Sequence, residues 1–328
     1  WDDATTNSTI KLLHANCSDD LKIEFQGGEP TLRTDIIAEV IKTTEEKVSN
    51  PSFVICSNLQ KLDDDLLKII EQKNVHLSCS LDGPAILHQK HRTKSNGTTT
   101  EFYQNLKFIR SKFGESKISL LTTISEYHKI IDVIDFYFDE QIPEIFLRPV
   151  NYQGFARKNF KQESQDYKTW QKYYKTGIEH IFKRNSAGGH QLRETTFALH
   201  LAKFFKPREN GYVDLRNPNP LGKDYIVVDF DGKLYPTDEA RMLSRIGLID
   251  LQMGHVSKGI DENRLTTMNY KSSNDEDEVC IDCQYQNFCG VDNIDKLSRY
   301  GTLDIKTNET SFCINHFDMF DFVETKIK

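Results

Sequence analysis

Four of the chain's seven cysteines crowd into its last fifth. Cys280, Cys283 and Cys289 read CxxCx5C, and Cys313 follows after 23 intervening residues. Four thiolates from two segments can surround one Zn²⁺ tetrahedrally or bind the four irons of a cubane, and spacing alone leaves both open. A second set of residues stands near the start, in Gln26-Gly27-Gly28-Glu29-Pro30. Two glycines let a backbone approach a ligand closely, and Pro30 suits the first position of a helix. A carboxylate beside free N–H groups can hold a ligand's ammonium and carboxylate together. The plain alternative is a tight turn with Glu29 in solvent.

The elements that must position these residues are legible as alternation. Apolar runs at 21–25, 52–56, 75–81, 118–123 and 144–150 read as strands. Helical spacing of apolar residues fills 32–48, 63–72, 102–113 and 130–138 between them. Strands alternating with helices imply βαβ units and a parallel sheet, whose chemistry gathers at the carboxyl ends of the strands. Those ends carry Gly27, Gly28, Glu29 and Pro30 after the first strand and Ser57 and Asn58 after the second. Ser80 closes the third, with Asp82, His88, His91 and Arg92 beyond it, and Arg148 closes the fifth. Singly, such residues are ordinary caps and turn formers. Together they could bind a nucleoside with an amino-acid tail.

Beyond residue 150 the pattern changes. Two amphipathic helices are expected over 165–182 and 191–204, split by Ser186-Ala187-Gly188-Gly189. A Pro/Asn/Gly-rich loop covers 207–222, and 225–235 reads as a hairpin with Asp231-Gly232 at its turn. The expected domains are therefore 1–150, a helical bridging region over 151–222, and a cysteine-rich domain over 223–328. Cys17, Cys56 and Cys79 are expected to pack in or near the core.

Composition sets the outer limits. With 38% hydrophobic and 28% charged residues among 328, the chain has material for a sizeable core and is not disordered. A net charge of −7 disfavours nucleic acid as a partner, and no apolar run is long enough to span a membrane. An odd cysteine count clustered at one end points to a reduced compartment, taken as the cytoplasm.

The ordered set FQGGEP, SN, SLDGP and LRP, each after a strand, resembles the radical SAM superfamily over about residues 1–150. The resemblance implies a partial (β/α)6 barrel carrying a [4Fe-4S] cluster and S-adenosylmethionine (SAM). It places Gly27, Gly28, Glu29 and Pro30 at the methionyl moiety, Ser57, Asn58 and Ser80 near the ribose, and Arg148 near cofactor or substrate. In the superfamily three cysteines in a CxxxCxxC loop, upstream of GGEP, hold that cluster. The 328 residues contain no such motif. The chain opens Trp1-Asp2-Asp3 without a Met, in what reads as the helix after that loop. The expectation is that an N-terminal segment with the first strand and the cluster loop is missing, so that this cluster belongs only to a longer chain. A degenerate relative is the alternative.

The cysteine-rich end resembles the SPASM extension of radical SAM peptide and protein maturases. That implies Cys280, Cys283, Cys289 and Cys313 as ligands of one auxiliary [4Fe-4S] cluster. The usual first auxiliary site is not matched, because Thr237 and Asn293 stand where it has cysteines. Asp238 stands where sulfatase-maturing members carry a proposed proton acceptor; the plain reading is an ion-pair group with Glu239 and Arg241. Further runs, GYVDL, DEARML, CxxCxYQxxCGxD and a terminal FC-x2-H-x2-MFD, resemble the B-type maturase of His-Xaa-Ser systems. The activity implied is modification of a ribosomal peptide or protein by 5′-deoxyadenosyl-radical hydrogen abstraction. Its implied partners are a precursor peptide, an electron donor such as flavodoxin or ferredoxin, and a companion maturase. The rivals are a cluster-less scaffold that holds a precursor for a partner enzyme, and a zinc-stabilised interaction protein.

Overall fold

The structure is a computed structural model, and it describes residues 1–328 except 17, 94, 152, 154–156, 158–166 and 208–211. The chain forms two compact units, one of Thr6–Val150 with Thr176–Thr195, the other of Trp1–Thr5, Asn151–Lys175 and Thr196–Lys328.

The first unit is built on a six-stranded sheet in the order β1 to β6: Lys22–Phe25, Ser52–Cys56, Val75–Ser80, Ile118–Ile124, Glu144–Pro149 and Arg193–Glu194. All neighbours run parallel, as the alternation of strands and helices demands. The register gives the sheet two unlike faces. Phe53, Ile55, Val75, Leu77, Cys79, Leu120, Ile145 and Leu147 are buried on one. Val54, Cys56, Ser78, Ser80, Thr123 and Arg148 lie on the other, which is only half-buried. Burying one face contributes the core, and the second stays open to solvent or a ligand.

The helices that follow the strands are set by local chemistry. The Asp63 carboxylate accepts the Leu66 N–H at 2.9 Å and starts the helix Asp64–Glu71, whose Leu66, Ile69 and Ile70 are buried. The helix Asn96–Phe113 begins earlier than its apolar spacing suggests, because Ser95 and Thr98 cap each other's backbone N–H groups. The helix expected over 32–48 spans Thr34–Glu45 behind a 3-10 turn at Pro30–Arg33. Ile130–Asp139 matches its expected span closely. In this unit the helix Ala85–His91 and the two-residue strand β6 escaped the sequence reading. Both are too short to show a period.

The second unit contains a four-stranded antiparallel sheet in the order β10-β9-β8-β7: Gly259–Ile260, Gly254–His255, Lys233–Tyr235 and Val227–Val228. Asp231-Gly232 does form the turn between β7 and β8, with Gly232 at φ +80°. Helix Asp238–Arg245 lies between β8 and β9 in the chain, and helices Glu262–Met268, Asn293–Tyr300 and Ser311–Ile327 follow β10. Leu215, Tyr285 and Phe320 form a buried cluster, against which Phe204, Phe288, Cys283 and Cys289 pack. The helix expected over 165–182 runs Tyr167–Ser186, and that over 191–204 runs Thr195–Phe205; residues 165 and 166 lie outside the described set. Cys17 also lies outside it. Cys79 is buried as expected, and Cys56 sits at the half-buried face. No helix of the described residues is long and apolar enough to cross a membrane.

Candidate functional site

The GGEP turn lies at the carboxyl end of β1. Gly27 has φ +131°, a conformation closed to residues with a Cβ, and no atom lies within 4 Å of where a Cβ would stand on either glycine. The turn is therefore open on its glycine side. Glu29 caps the 3-10 turn that follows: its Oε1 accepts the Thr31 N–H at 3.3 Å and the Thr31 hydroxyl at 2.7 Å. Its Oε2 accepts the backbone N–H of Asn58 at 2.8 Å. The tight-turn reading with Glu29 free in solvent is thus set aside. Its carboxylate joins the ends of β1 and β2.

After β2 the chain turns sharply. The Ser57 hydroxyl accepts the Leu59 N–H at 3.0 Å, and Asn58 Oδ1 accepts the Gln60 N–H at 3.0 Å. Leu59 takes φ +53° and is wholly buried, and Asn105 Nδ2 donates to its carbonyl at 2.7 Å. Ser57 and Asn58 act first as turn formers in this state. Ser80 and Arg148 sit further along the half-buried face, with Arg148 over the Phe146 ring at 5.2 Å. The structure so gathers Gly27 to Pro30, Ser57, Asn58, Ser80 and Arg148 along the carboxyl edge and open face of one sheet.

Asp82 carries a role that the sequence left blank. It is 4% exposed and receives Arg92 Nε at 2.7 Å, Arg92 Nη2 at 3.3 Å and the Thr123 N–H at 3.2 Å. It ties the end of β3 to β4 and to the helix Ala85–His91. Gly83, at φ +103°, is fixed by its neighbours: a Cβ would meet Val133 Cγ2 at 2.8 Å. His88 is buried against Phe102, 4.1 Å between ring centres, and burial lowers its pKa to about 4. The neutral ring accepts the Asp82 N–H through Nδ1.

In the second unit the four C-terminal cysteines lie near enough for their thiols to influence one another. Burial and the neighbouring thiols raise the pKa of Cys289 and of Cys313, and burial with Asp277 and those thiols pushes Cys280 up to about 12. Cys283 contributes to the rise at Cys280, Cys289 and Cys313. A site that resists thiolate formation without a counter-charge suits a metal centre, which supplies that charge. Asp277 organises the first loop by accepting the Val279 N–H at 3.0 Å and the Cys280 N–H at 3.1 Å. Thr307 donates to Asp277 Oδ2 at 2.5 Å, and Lys296 Nζ donates to Thr307 at 3.2 Å. Cys313 lies in the first turn of Ser311–Ile327, its N–H donated to the capping Thr310 hydroxyl. His316 is buried in the second turn of that helix, its Nδ1 3.0 Å from His200 Nε2.

Asp238 opens the helix Asp238–Arg245, and Arg241 engages its carboxylate at 2.6 Å. Thr237 accepts the Ala240 N–H at 3.0 Å as the cap of that helix. Asn293 is 2% exposed and donates to the carbonyls of Met268 and Tyr270 at 3.0 and 2.9 Å. Both residues standing at first-auxiliary-site positions therefore have structural bonds of their own.

No family model matches the chain. It is 25% identical, over 289 residues, to the cysteine-type anaerobic sulfatase-maturating enzyme of Clostridium novyi (strain NT), covering 81% of this chain and 71% of that protein. Its fold matches native anSMEcpe with bound AdoMet and Kp18Cys peptide at a TM-score of 0.75 and 15% identity, over 99% of this chain and 89% of that one. Streptococcus suis SuiB bound to precursor peptide SuiA matches at a TM-score of 0.59 and 15% identity, over 94% and 69%. The chain thus has the fold of a radical SAM maturase with a SPASM-type extension, and in sequence it resembles a sulfatase-maturating enzyme.

Proposed function

We propose that the protein is a radical SAM maturase that modifies a ribosomally made peptide or protein. The observation that carries this reading is the Glu29 carboxylate, held at the sheet edge between the open GGEP turn and the Asn58 N–H. A carboxylate so placed can exchange a backbone donor for the ammonium of an amino-acid tail, a charge-assisted bond of greater strength. Gly27 and Gly28 leave room for that tail. Ser57, Asn58 and Ser80 would lie near the ribose of a bound SAM, and Arg148 offers a guanidinium on the same face. Bound SAM supplies, on reductive cleavage, the 5′-deoxyadenosyl radical that abstracts hydrogen from the substrate. The cluster that delivers the electron needs CxxxCxxC ligands, which these 328 residues do not include. Support for a peptide or protein substrate comes from the peptide-bound states of anSMEcpe and SuiB.

Cys280, Cys283, Cys289 and Cys313 hold one auxiliary [4Fe-4S] cluster in this reading. Zinc thiolates would stand about 3.8 Å apart, given Zn–S bonds of roughly 2.3 Å. Among the described residues no three Cys, His, Asp or Glu side chains converge closely enough to ligate one ion. A cubane, whose ligands bind separate corners, accepts wider spacing. Asp238 is the candidate proton acceptor near substrate, and Arg241 must then release it on substrate binding.

The test uses the full-length protein with its CxxxCxxC loop, iron-replete and purified without oxygen. SAM binding should be saturable and should weaken in Glu29→Gln, and the reduced protein should yield 5′-deoxyadenosine. Saturable SAM binding with no 5′-deoxyadenosine from the reduced, iron-loaded protein would sink the maturase reading.

A further inference from the structure

Two arms of the four-cysteine site are tied to one residue outside it, Thr307. Its hydroxyl donates to Asp277 Oδ2 at 2.5 Å, and Asp277 Oδ1 accepts the Cys280 N–H at 3.1 Å. Its carbonyl accepts the Thr310 hydroxyl at 2.7 Å, and that hydroxyl accepts the Cys313 N–H at 3.2 Å. Thr310 is wholly buried. Two segments far apart in sequence are thereby referred to a single junction.

A third group reaches that junction. Lys296, on the helix Asn293–Tyr300, donates from Nζ to Thr307 Oγ1 at 3.2 Å and is 5% exposed. Among the described residues no carboxylate stands at ion-pair distance from this ammonium, and the Thr307 hydroxyl is its one hydrogen-bond partner. An ammonium has three donors to place, and a buried charge is costly unless it is paired. Asp277 is the first acid along these bonds, but it lies beyond Thr307 and already serves the Val279 and Cys280 N–H groups. Lys296 is therefore a buried cation short of an anion. The cysteines have the opposite lack. Burial, Cys283 and Asp277 raise the Cys313 thiol, and Lys296 opposes them.

Four thiolates outnumber the positive charge of a Zn²⁺ ion or of a cubane core, so either centre is anionic, and reduction of a cubane adds one more negative charge. We propose that Lys296 is the counter-charge of the centre held by Cys280, Cys283, Cys289 and Cys313, and that Thr307 fixes its ammonium against the Cys280 and Cys313 arms. Lys296 and Thr307 are positioning residues: neither ligates the centre. The inference rests on those four cysteines being ligands. Which centre they hold decides only how the charge is read out. For a cubane, net charge and hydrogen bonding set the reduction potential, and a fixed cation favours the reduced form.

The experiment is a redox titration of the full-length, iron-replete protein, followed by electron paramagnetic resonance. The signal of the C-terminal site is the one lost in Cys283→Ser. Lys296→Met keeps the stem and removes the charge. It should move the midpoint negative by about 59 mV or more, a tenfold shift for one electron. Lys296→Arg should recover most of that shift. Thr307→Val should move the midpoint the same way, and Thr307→Ser should restore it. Thermal unfolding reports whether each variant is folded, and Thr307→Val carries the test where Lys296→Met does not fold. A midpoint unmoved in Lys296→Met would assign Lys296 to Asp277 alone, and equal shifts in Lys296→Met and Lys296→Arg would reduce it to packing; either overturns the proposal. Zinc without sulfide would sink the cluster reading and leave this one standing if zinc retention against a chelator falls about tenfold in Lys296→Met and recovers in Lys296→Arg. Zinc retention indifferent to Lys296→Met, or no metal of either kind at the four cysteines, would overturn it.

Discussion

Glu29 Oε2 receives the backbone N–H of Asn58 at 2.8 Å, across 29 residues of sequence. One carboxylate thereby holds two strand ends at the distance a single small ligand could bridge. The same bond makes Glu29 both a structural tie and a candidate ligand, and the two roles separate by substitution. Glu29→Gln keeps an acceptor for Asn58 but loses the charge. It should cost little stability, about 1 kcal/mol or less, while weakening SAM binding by roughly tenfold or more. Equal SAM affinity in Glu29→Gln and wild type, measured by calorimetry, would remove Glu29 from the cofactor site.

The cysteine cluster predicts its own metal. Protein purified without oxygen should contain iron and labile sulfide, and Cys283→Ser should lose most of both. Zinc without sulfide, in protein grown with ample iron, would return the site to a zinc knuckle. Cys79→Ala, in the other unit and buried, should leave the metal content unchanged.

Gly290 offers a packing test. A methyl group there meets the Leu215 backbone at 2.7 Å, where no flexible side chain can yield. Gly290→Ala should destabilise by about 1–3 kcal/mol, read as a lower midpoint in urea at unchanged slope. Gly188→Ala, with open space at its Cβ but φ +85°, should cost about 1 kcal/mol from backbone strain alone.

Asp82 and Arg92 are expected to act as a latch. Asp82→Asn leaves Arg92 without its buried counter-charge, at a cost of about 3 kcal/mol, the lower end for a broken buried pair because Arg92 is partly solvated. Chemical denaturation checks the size. A loss under 1 kcal/mol would mean that the backbone bond from Thr123 alone holds the strand end.

The buried histidines predict an acid limb. Burial lowers His88 and His316 to about 4 and His200, aided by His316, to about 3. In the unfolded chain each titrates near 6.5. Folded-state values below the unfolded ones mean that stability is full above about pH 6.5 and falls as pH drops towards 4. Each group contributes about 1.4 kcal/mol per pH unit in that window. His88→Gln keeps an acceptor for the Asp82 N–H and should flatten the profile by about that amount. An unchanged slope between pH 6 and 5 would show that His88 is protonated in the folded state.

The parallel sheet was readable because each strand is an apolar run closed by a turn signal, and five of its six strands follow that rule. The helix Ala85–His91 and strand β6 were not, since seven and two residues carry too little periodicity to declare themselves. The cysteine set was visible from spacing, and GGEP from its glycines. What stayed hidden were the partners: Asn58 on Glu29, Arg92 on Asp82, and His200 on His316, which is 116 residues away. Spacing announces residues that act together within one segment, whereas long-range pairs depend on register and packing that a single sequence does not print. Asp292 shows the same limit. In sequence it closes the run CxxCxYQxxCGxD, and only the fold shows it capping Asn293–Tyr300, next to a residue bonded to the Arg216 carbonyl.

Cys313 stands in the first turn of the last helix, and its three companions stand before the helix Asn293–Tyr300. A metal centre bound by all four closes the intervening chain into a loop and fastens the C-terminal helix by its front end. Stripping that centre with a chelator converts a stapled helix into one held only by packing and by bonds such as Tyr285 to Glu324 and Lys175 to Asp318. Trypsin should then cut sooner after Lys326, so the rate of cleavage within this helix becomes a clock for cluster loss.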